Sequence, residues 1–161
     1  MTDQERKEFR IALAKDVLET IDNRHIVIMT YCSGVYTQTS TNWQKQDARI
    51  ILHDMERCCN VCALGSLFLS YIKLFDNVKI GEIARYDYIH ASANFINDKL
   101  STYFTENELH EIEGAFECFT GRDQWLRHYP ESKIRLKQIM LNILRNDGEF
   151  VLVDIPANDS A

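Results

Sequence analysis

The chain has 161 residues, enough for one domain of ordinary size and too few for two. Hydrophobic residues make up 45% of the chain and charged residues 26%, and these globular values exclude an intrinsically disordered protein and a collagen-like repeat. The formal net charge of −6 excludes a general nucleic-acid binder, because such proteins carry a net basic surface.

The first predicted element is an amphipathic helix over residues 4–22. Apolar residues recur at four-residue spacing from Phe9 to Ile21, which is the periodicity of one helix face. Thr2 or Asp3 is suited to cap its start, because a side-chain oxygen there accepts a free backbone N–H.

A small β-hairpin is predicted near residues 26–39. Residues 26–31 are apolar and β-branched, residues 33–34 read as a Ser-Gly turn, and residues 35–39 are suited to a returning strand.

Helical spacing resumes near Asp47 and runs to Phe75, so the cysteines at 58, 59 and 62 are predicted to lie inside this helix. Residues 61–75 are apolar nearly all round, which is typical of a helix buried against several neighbours. This apolar segment is the predicted centre of the fold.

The second half of the chain predicts three more helices. One covers most of residues 81–104, one begins at a Thr105–Glu108 capping box and is closed by Gly121, and one runs over about residues 131–146. Gly148 stands where a left-handed cap is favoured. Residues 122–130 are predicted to be a loop, and residues 150–153 a short strand.

These elements predict a mainly α fold with a minor β-hairpin. A single helical domain over residues 1–155 contains five or six helices packed around segment 61–75, and residues 156–161 form a flexible C-terminal tail. The sequence shows no signal peptide and no apolar run of membrane-spanning length, and its odd number of clustered cysteines does not suit a disulfide framework. The predicted location is therefore the cytoplasm, away from any membrane.

The cysteine cluster suggests a zinc site as one alternative. Cys59 and Cys62 have CxxC spacing, and the conceivable further ligands for a tetrahedral site are His53, Cys58, Cys32 and Cys118. The sequence has only one CxxC, and a buried free cysteine behaves as a small hydrophobe on which another helix can pack. Packing is the favoured interpretation, so no cofactor is predicted, and a zinc-binding protein or small enzyme stays the alternative.

Catalytic motifs are absent from the sequence. It contains neither a Gly-x-Ser-x-Gly elbow nor a glycine-rich phosphate loop. His110, Glu113 and Glu117 share one helix face, but the apolar residues on the opposite face predict that this one is solvated. No catalytic residue is predicted, and a non-enzymatic protein is favoured.

A binding surface is predicted from aromatic and basic residues in two polar stretches. Trp125 and Tyr129 stand beside Arg122 and Arg127 in one stretch, and Trp43 stands in the other. Tryptophan, tyrosine and arginine are the residues that most often anchor protein interfaces. The alternative is that these rings cap the core from loops.

The charge is unevenly distributed, which leaves a second alternative function open. Residues 122–145 hold six basic and two acidic side chains between an acidic helix and an acidic tail. This segment would allow a nucleic-acid-directed factor. A protein partner or a second copy of the chain is nevertheless the favoured partner, and nucleic acid is disfavoured.

One block of the sequence resembles a known group of proteins. Cys59-Asn-Val-Cys-Ala-Leu-Gly-Ser-Leu-Phe-Leu69 is similar to a block in small proteins of unassigned function encoded by tailed phages and prophages, and residues 11–17 and 108–116 are loosely similar to others. Ser66 stands where alanine is expected. The resemblance implies a phage or prophage origin and a helical domain in the bacterial cytoplasm. The leading functional prediction is thus a phage accessory factor that binds a host or phage protein, with counter-defence among its roles.

Overall fold

The chain is mainly helical in the computed structural model, which describes residues 1–28, 32–33, 60–75, 96–118 and 123–156. The prediction of a mainly α fold with a minor β element is confirmed. Among the described helices, none combines the length and the apolar character that crossing a membrane requires. The named helices are α1 (Asp3–Thr20), α2 (Ala63–Phe75), α3 (Glu106–Glu117), α4 (Gln124–His128) and α5 (Ser132–Arg145), and residues 96–100 are also helical.

Helix α1 forms as its periodicity predicts. Thr2 caps it, because the hydroxyl accepts the Glu5 N–H at 3.1 Å while the Glu5 carboxylate accepts the Thr2 N–H at 2.6 Å. Its buried face includes Leu13 and Val17, and it packs against α2 and α5.

Helix α2 is the centre of the described core, as predicted. Every residue from Ala63 to Ile72 is buried, and the helix packs against α1 and α3. The predicted continuation of this helix back through Cys62 is wrong, because Asn60–Val61 forms a strand and α2 begins only after Cys62. A short apolar run has no periodicity that separates a buried strand from a buried helix.

The minor β element is a three-stranded sheet of short strands. Strand β3 (Asn60–Val61) lies between β1 (His25–Ile26) and β2 (Cys32–Ser33), parallel to the first and antiparallel to the second. The described strands are joined through β3, and the predicted returning strand of the hairpin, residues 35–39, lies outside the described residues, so that hairpin stays a prediction. Val61 is fully buried and leads into α2. Strand β3 is central because it pairs with both other strands, and local turn signals do not reveal these pairings.

Helices α3 and α5 also start and end close to their predicted bounds. In α3 the capping box is present, since the Glu108 N–H donates to the Thr105 hydroxyl at 3.1 Å and the Glu108 carboxylate accepts the Thr105 N–H at 2.9 Å. Helix α3 ends at Glu117, and Cys118 takes the left-handed conformation there. The predicted terminator, Gly121, lies outside the described residues.

Gly148 closes α5 in the left-handed conformation, as predicted. Its φ is +93°, and its N–H donates to the Ile143 carbonyl at 2.8 Å. A Cβ at this position would lie 2.9 Å from Cγ and 3.1 Å from the carbonyl oxygen of Lys7, so the turn approaches α1 closely. Only glycine meets both requirements without strain.

Buried arginines join the ends of the helices. Arg10 of α1 donates to the Gly148 carbonyl at 2.6 Å and to the Tyr103 carbonyl at 2.9 Å. Arg135 of α5 donates to the carbonyls of Phe116, Tyr129 and Pro130 at 2.8 to 3.1 Å. Carbonyls near helix ends lack intrahelical donors, so each guanidinium satisfies groups that burial would otherwise leave unpaired.

A third buried arginine, Arg24, binds two serines of α2. Arg24 donates to the Ser66 carbonyl and hydroxyl at 2.9 Å and to the Ser70 hydroxyl at 3.1 Å. Its guanidinium lies 3.6 Å from the buried Asp16 carboxylate, which also accepts from Lys73 at 2.8 Å. The two serines therefore bind a buried charged group.

Candidate interaction surface

The two aromatic side chains predicted to line a binding loop are buried. Trp125 lies in α4 and is 1% exposed, and Tyr129 follows that helix and is 4% exposed. The Trp125 ring packs against Phe150 and Tyr129 at centroid distances of 5.6 and 6.0 Å. The predicted exposed loop is thus wrong for this stretch, and both rings cap the core. Polar neighbours in the sequence do not show whether a lone aromatic side chain points inward.

Arg127, one residue of the predicted binding surface, lies on the exposed side of α4. Leu126 is 42% exposed, and Arg127 lies 3.8 Å from the Asp123 carboxylate in a pair whose side chains are both more than half exposed. An exposed pair of this kind contributes little to stability, so Arg127 can exchange partners at low cost. The other two residues of the predicted surface, Arg122 and Trp43, lie outside the described residues.

The segment after Gly148 forms a turn rather than the predicted strand. The Asp154 N–H donates to the Val151 carbonyl at 3.0 Å, which closes a four-residue turn. The Asn142 side chain of α5 accepts the Val151 N–H at 2.9 Å and donates to the carbonyls of Val151 and Asp154 at 2.8 and 3.0 Å. These backbone groups are paired with a side chain, so they are not available to a neighbouring strand.

Asp154 fastens the end of this turn to α5. Its carboxylate accepts from Asn146 at 2.7 Å and from Arg145 at 2.9 Å. These two hydrogen bonds, the one from Asn146 foremost, lower the pKa of Asp154 below its ordinary value. The ionised carboxylate is therefore the form that holds the turn in place.

A hydrogen bond from Trp125 joins the turn to α4. The indole N–H donates to the Leu152 carbonyl at 3.0 Å. The next residue along each segment is an exposed apolar one: Leu126 on α4, and Val153, which is 84% exposed, on the turn. We call Leu126, Arg127 and Val153 the contact face. Sequence reasoning missed Val153, because an apolar residue in a short apolar run carries no signal that it faces solvent.

Much of the positive charge in segment 122–145 is already engaged. Arg135 is buried and binds carbonyls, Arg145 pairs with Asp154, and Arg127 lies beside Asp123. Burial lowers the pKa of Arg135, because removing the guanidinium from water disfavours its charged form. A nucleic-acid-directed factor stays a prediction. The engaged arginines leave less exposed positive charge for binding nucleic acid than the sequence implies.

Cys62 is placed as a core residue. It is 1% exposed, its sulfur accepts the Gly65 N–H at 3.5 Å, and burial strongly raises the pKa of its thiol. A metal ligand must be a thiolate, which this environment disfavours. No three or more His, Cys, Asp or Glu side chains within the described ranges are grouped to hold a metal ion. His53, Cys58 and Cys59 lie outside those ranges, so the zinc alternative stays a prediction.

A groove between residues 97–101 and α3 contains part of the predicted acidic helix face. Its volume is about 460 Å³, and it is open to solvent. His110 and Glu113 both line it, which confirms that these two residues lie on one face of α3. The lining residues are Asn97, Asp98, Ser101, Glu106, Leu109, His110 and Glu113.

Comparison with protein-family models, curated proteins and solved structures finds no match for this chain. Its function is therefore inferred from its own residues.

Proposed function

We propose that this protein is a non-enzymatic interaction protein that binds another protein through the contact face. The observation that carries the proposal is the exposure of Val153, whose side chain is 84% exposed on a turn that buried side chains hold in place. A mobile apolar side chain loses conformational entropy on binding, whereas one on a fixed turn has already lost part of it. The turn thus presents Val153 in a form suited to an interface.

The side chains of the contact face indicate the chemistry of its partner. Leu126 and Val153 supply apolar area, and Arg127 supplies a charge that is only weakly engaged by Asp123. Interfaces commonly combine an apolar centre with arginine and exclude water around it. The partner surface is therefore expected to be apolar with a carboxylate at its edge.

The proposal includes a biological setting that the sequence supports. The resemblance of residues 59–69 to phage and prophage proteins points to a bacterial cytoplasm and to a host or phage protein as the partner. In that setting the protein is an accessory factor that modulates its partner, with counter-defence as one such role.

Site-specific photo-crosslinking in bacterial cells tests the proposal. A benzoyl-phenylalanine at position 126 is compared with the same group at position 74, because Leu126 and Leu74 are similarly exposed at 42% and 38%. We expect a discrete crosslinked protein from position 126 only. We also expect Arg127→Glu to reduce its yield by about fivefold or more, since losing a charged contact costs about 1 kcal/mol or more.

Equal crosslinking from positions 126 and 74, or none from position 126, would contradict the proposal. A product whose yield is unchanged by Arg127→Glu would show that the partner is not held by this face.

A further inference from the structure

We propose that residues 151–156 form a latch that opens as a unit, without unfolding of the helices, and thereby removes Val153 from the contact face and uncovers Trp125. This inference rests on the proposed function for its role, but the opening itself is a separate physical event. The two are tested by different measurements.

The upstream limit of the latch is set by firm contacts. The Gly148 carbonyl accepts from the buried Arg10 side chain at 2.6 Å, and Phe150 is 4% exposed and packs against Trp125. The chain is therefore held in the core as far as Phe150. Beyond that residue the side chains are only partly buried or, as at Val153, mostly exposed.

Polar side chains on α4, on α5 and directly after α5 hold the latch. The described side-chain hydrogen bonds to it come from Trp125 of α4 and from Asn142, Arg145 and Asn146, on α5 or directly after it. Segments with little apolar burial and hydrogen bonds near solvent open at a lower free energy than the core. The latch buries less apolar surface than the helices, since Val153 is exposed and Leu152 and Ile155 are only partly buried against the core, so it is expected to open before the helices separate.

The closed state is nevertheless the favoured one. Asn142 is completely buried, and opening deprives its amide of the Val151 backbone groups that it now binds. The Trp125 indole N–H loses its acceptor in the same event. Leaving buried polar groups without partners is costly, so the open state is a minor population unless a partner satisfies those groups.

Hydrogen exchange of the full-length protein, followed by NMR, tests the latch. The Val151 amide and the Trp125 indole N–H report opening, and the Gly148 amide, which donates to Ile143, reports the core. We expect the two reporter hydrogens to be protected at least tenfold less than the Gly148 amide. Asp154→Asn should speed both by about two- to tenfold, the equivalent of one ordinary hydrogen bond, and leave Gly148 unchanged.

Matched variants complete the test. Glu149→Gln removes the same charge from an exposed position just before the latch, and should change none of the three rates. Arg145→Gln removes one of the two side-chain donors to Asp154, and should speed the same two hydrogens by a smaller factor. Equal protection of all three hydrogens, or acceleration of Val151 without Trp125, would overturn the latch. Photo-crosslinking from position 126, in a protein whose latch residues are unchanged, does not depend on the hydrogen-exchange result. Failure of the latch and failure of the contact face are therefore distinguishable.

Discussion

Single residues decide how this fold treats its positive charge. Arg10, Arg24 and Arg135 are buried, and each donates to backbone carbonyls or serine hydroxyls close to the ends or faces of helices. From the sequence alone, these three arginines are expected at the surface, because arginine is usually exposed. The burial of Arg10 and Arg24 could not be predicted, since the carbonyls that they bind lie 42 or more residues away along the chain.

Removing Arg135 tests whether these contacts stabilise the fold. Arg135→Met keeps an apolar stem of similar length but leaves three carbonyls without a donor, so we expect a loss of about 2–3 kcal/mol in the free energy of unfolding. Urea denaturation measures it. Lys137→Met on the exposed side of the same helix is the control, with an expected change of about 0.5 kcal/mol or less. Equal effects of the two variants would show that the buried contacts contribute nothing.

Gly148 is the residue whose conformation allows least change. Gly148→Ala places a Cβ 2.9 Å from Cγ of Lys7 at a φ of +93°, and we expect it to lower the free energy of unfolding by about 1–3 kcal/mol. Adding Lys7→Ala removes the side-chain clash but not the clash with the backbone oxygen or the strain of the left-handed conformation. The double variant should therefore recover only part of the loss, and full recovery would contradict this account.

Cys62 provides a chemical test of burial that also bears on zinc. With a buried thiol of raised pKa, it should not react with an aromatic disulfide reagent in the native protein and should react once urea unfolds the chain. Mass spectrometry of the labelled peptides identifies the site. Elemental analysis of the same sample should find less than about 0.1 metal per chain, because bound structural zinc approaches one per site. Rapid labelling of Cys62 would contradict its placement in the core, and stoichiometric zinc would favour the zinc alternative.

Elements whose signals are local could be predicted from the sequence. The capping boxes at Thr2 and Thr105 and the glycine at 148 satisfy backbone groups within a few residues, so α1, α3 and α5 begin and end near the predicted positions. The predictions failed where distant partners decide. Strand β3 depends on pairing across the chain, and residues 151–154 form a turn because Asn142 binds their backbone.

The same distinction applies to the candidate site. Composition directed attention to the stretch around Trp125, but it could not show that Trp125 and Tyr129 face inward while Leu126 faces solvent. Val153 was not found, because its exposure depends on a turn that the sequence does not reveal.

The turn at the C-terminal end of α5 makes a prediction about pH. Hydrogen bonds from Asn146 and Arg145 lower the pKa of Asp154 in the folded protein below its ordinary value of 3.8. The stability that this carboxylate contributes is therefore complete above about pH 3.8, and it is lost as the pH falls through the lower folded value. A carbon NMR titration of the Asp154 carboxyl group should give a midpoint below 3.8, and Asn146→Ala should move it upward. A midpoint at or above 3.8 would contradict the hydrogen bonds.

At the scale of the whole molecule, the net charge of −6 conceals two different surfaces. Acidic residues line the groove beside α3, whereas the contact face carries one weakly paired arginine and two exposed apolar side chains. The net charge thus divides into local surfaces of different charge. In the proposed function the partner binds the less acidic one, the contact face.

Hydrogen exchange of the protein in complex with its crosslinked partner tests the contact face most directly. Peptides that cover residues 123–128 and 151–156 should exchange more slowly in the complex than in the free protein, because the partner shields their exposed backbone. Peptides from the exposed end of α2 around Leu74 should not change. Slower exchange confined to the α3 groove, with residues 123–128 and 151–156 unaffected, would contradict the account.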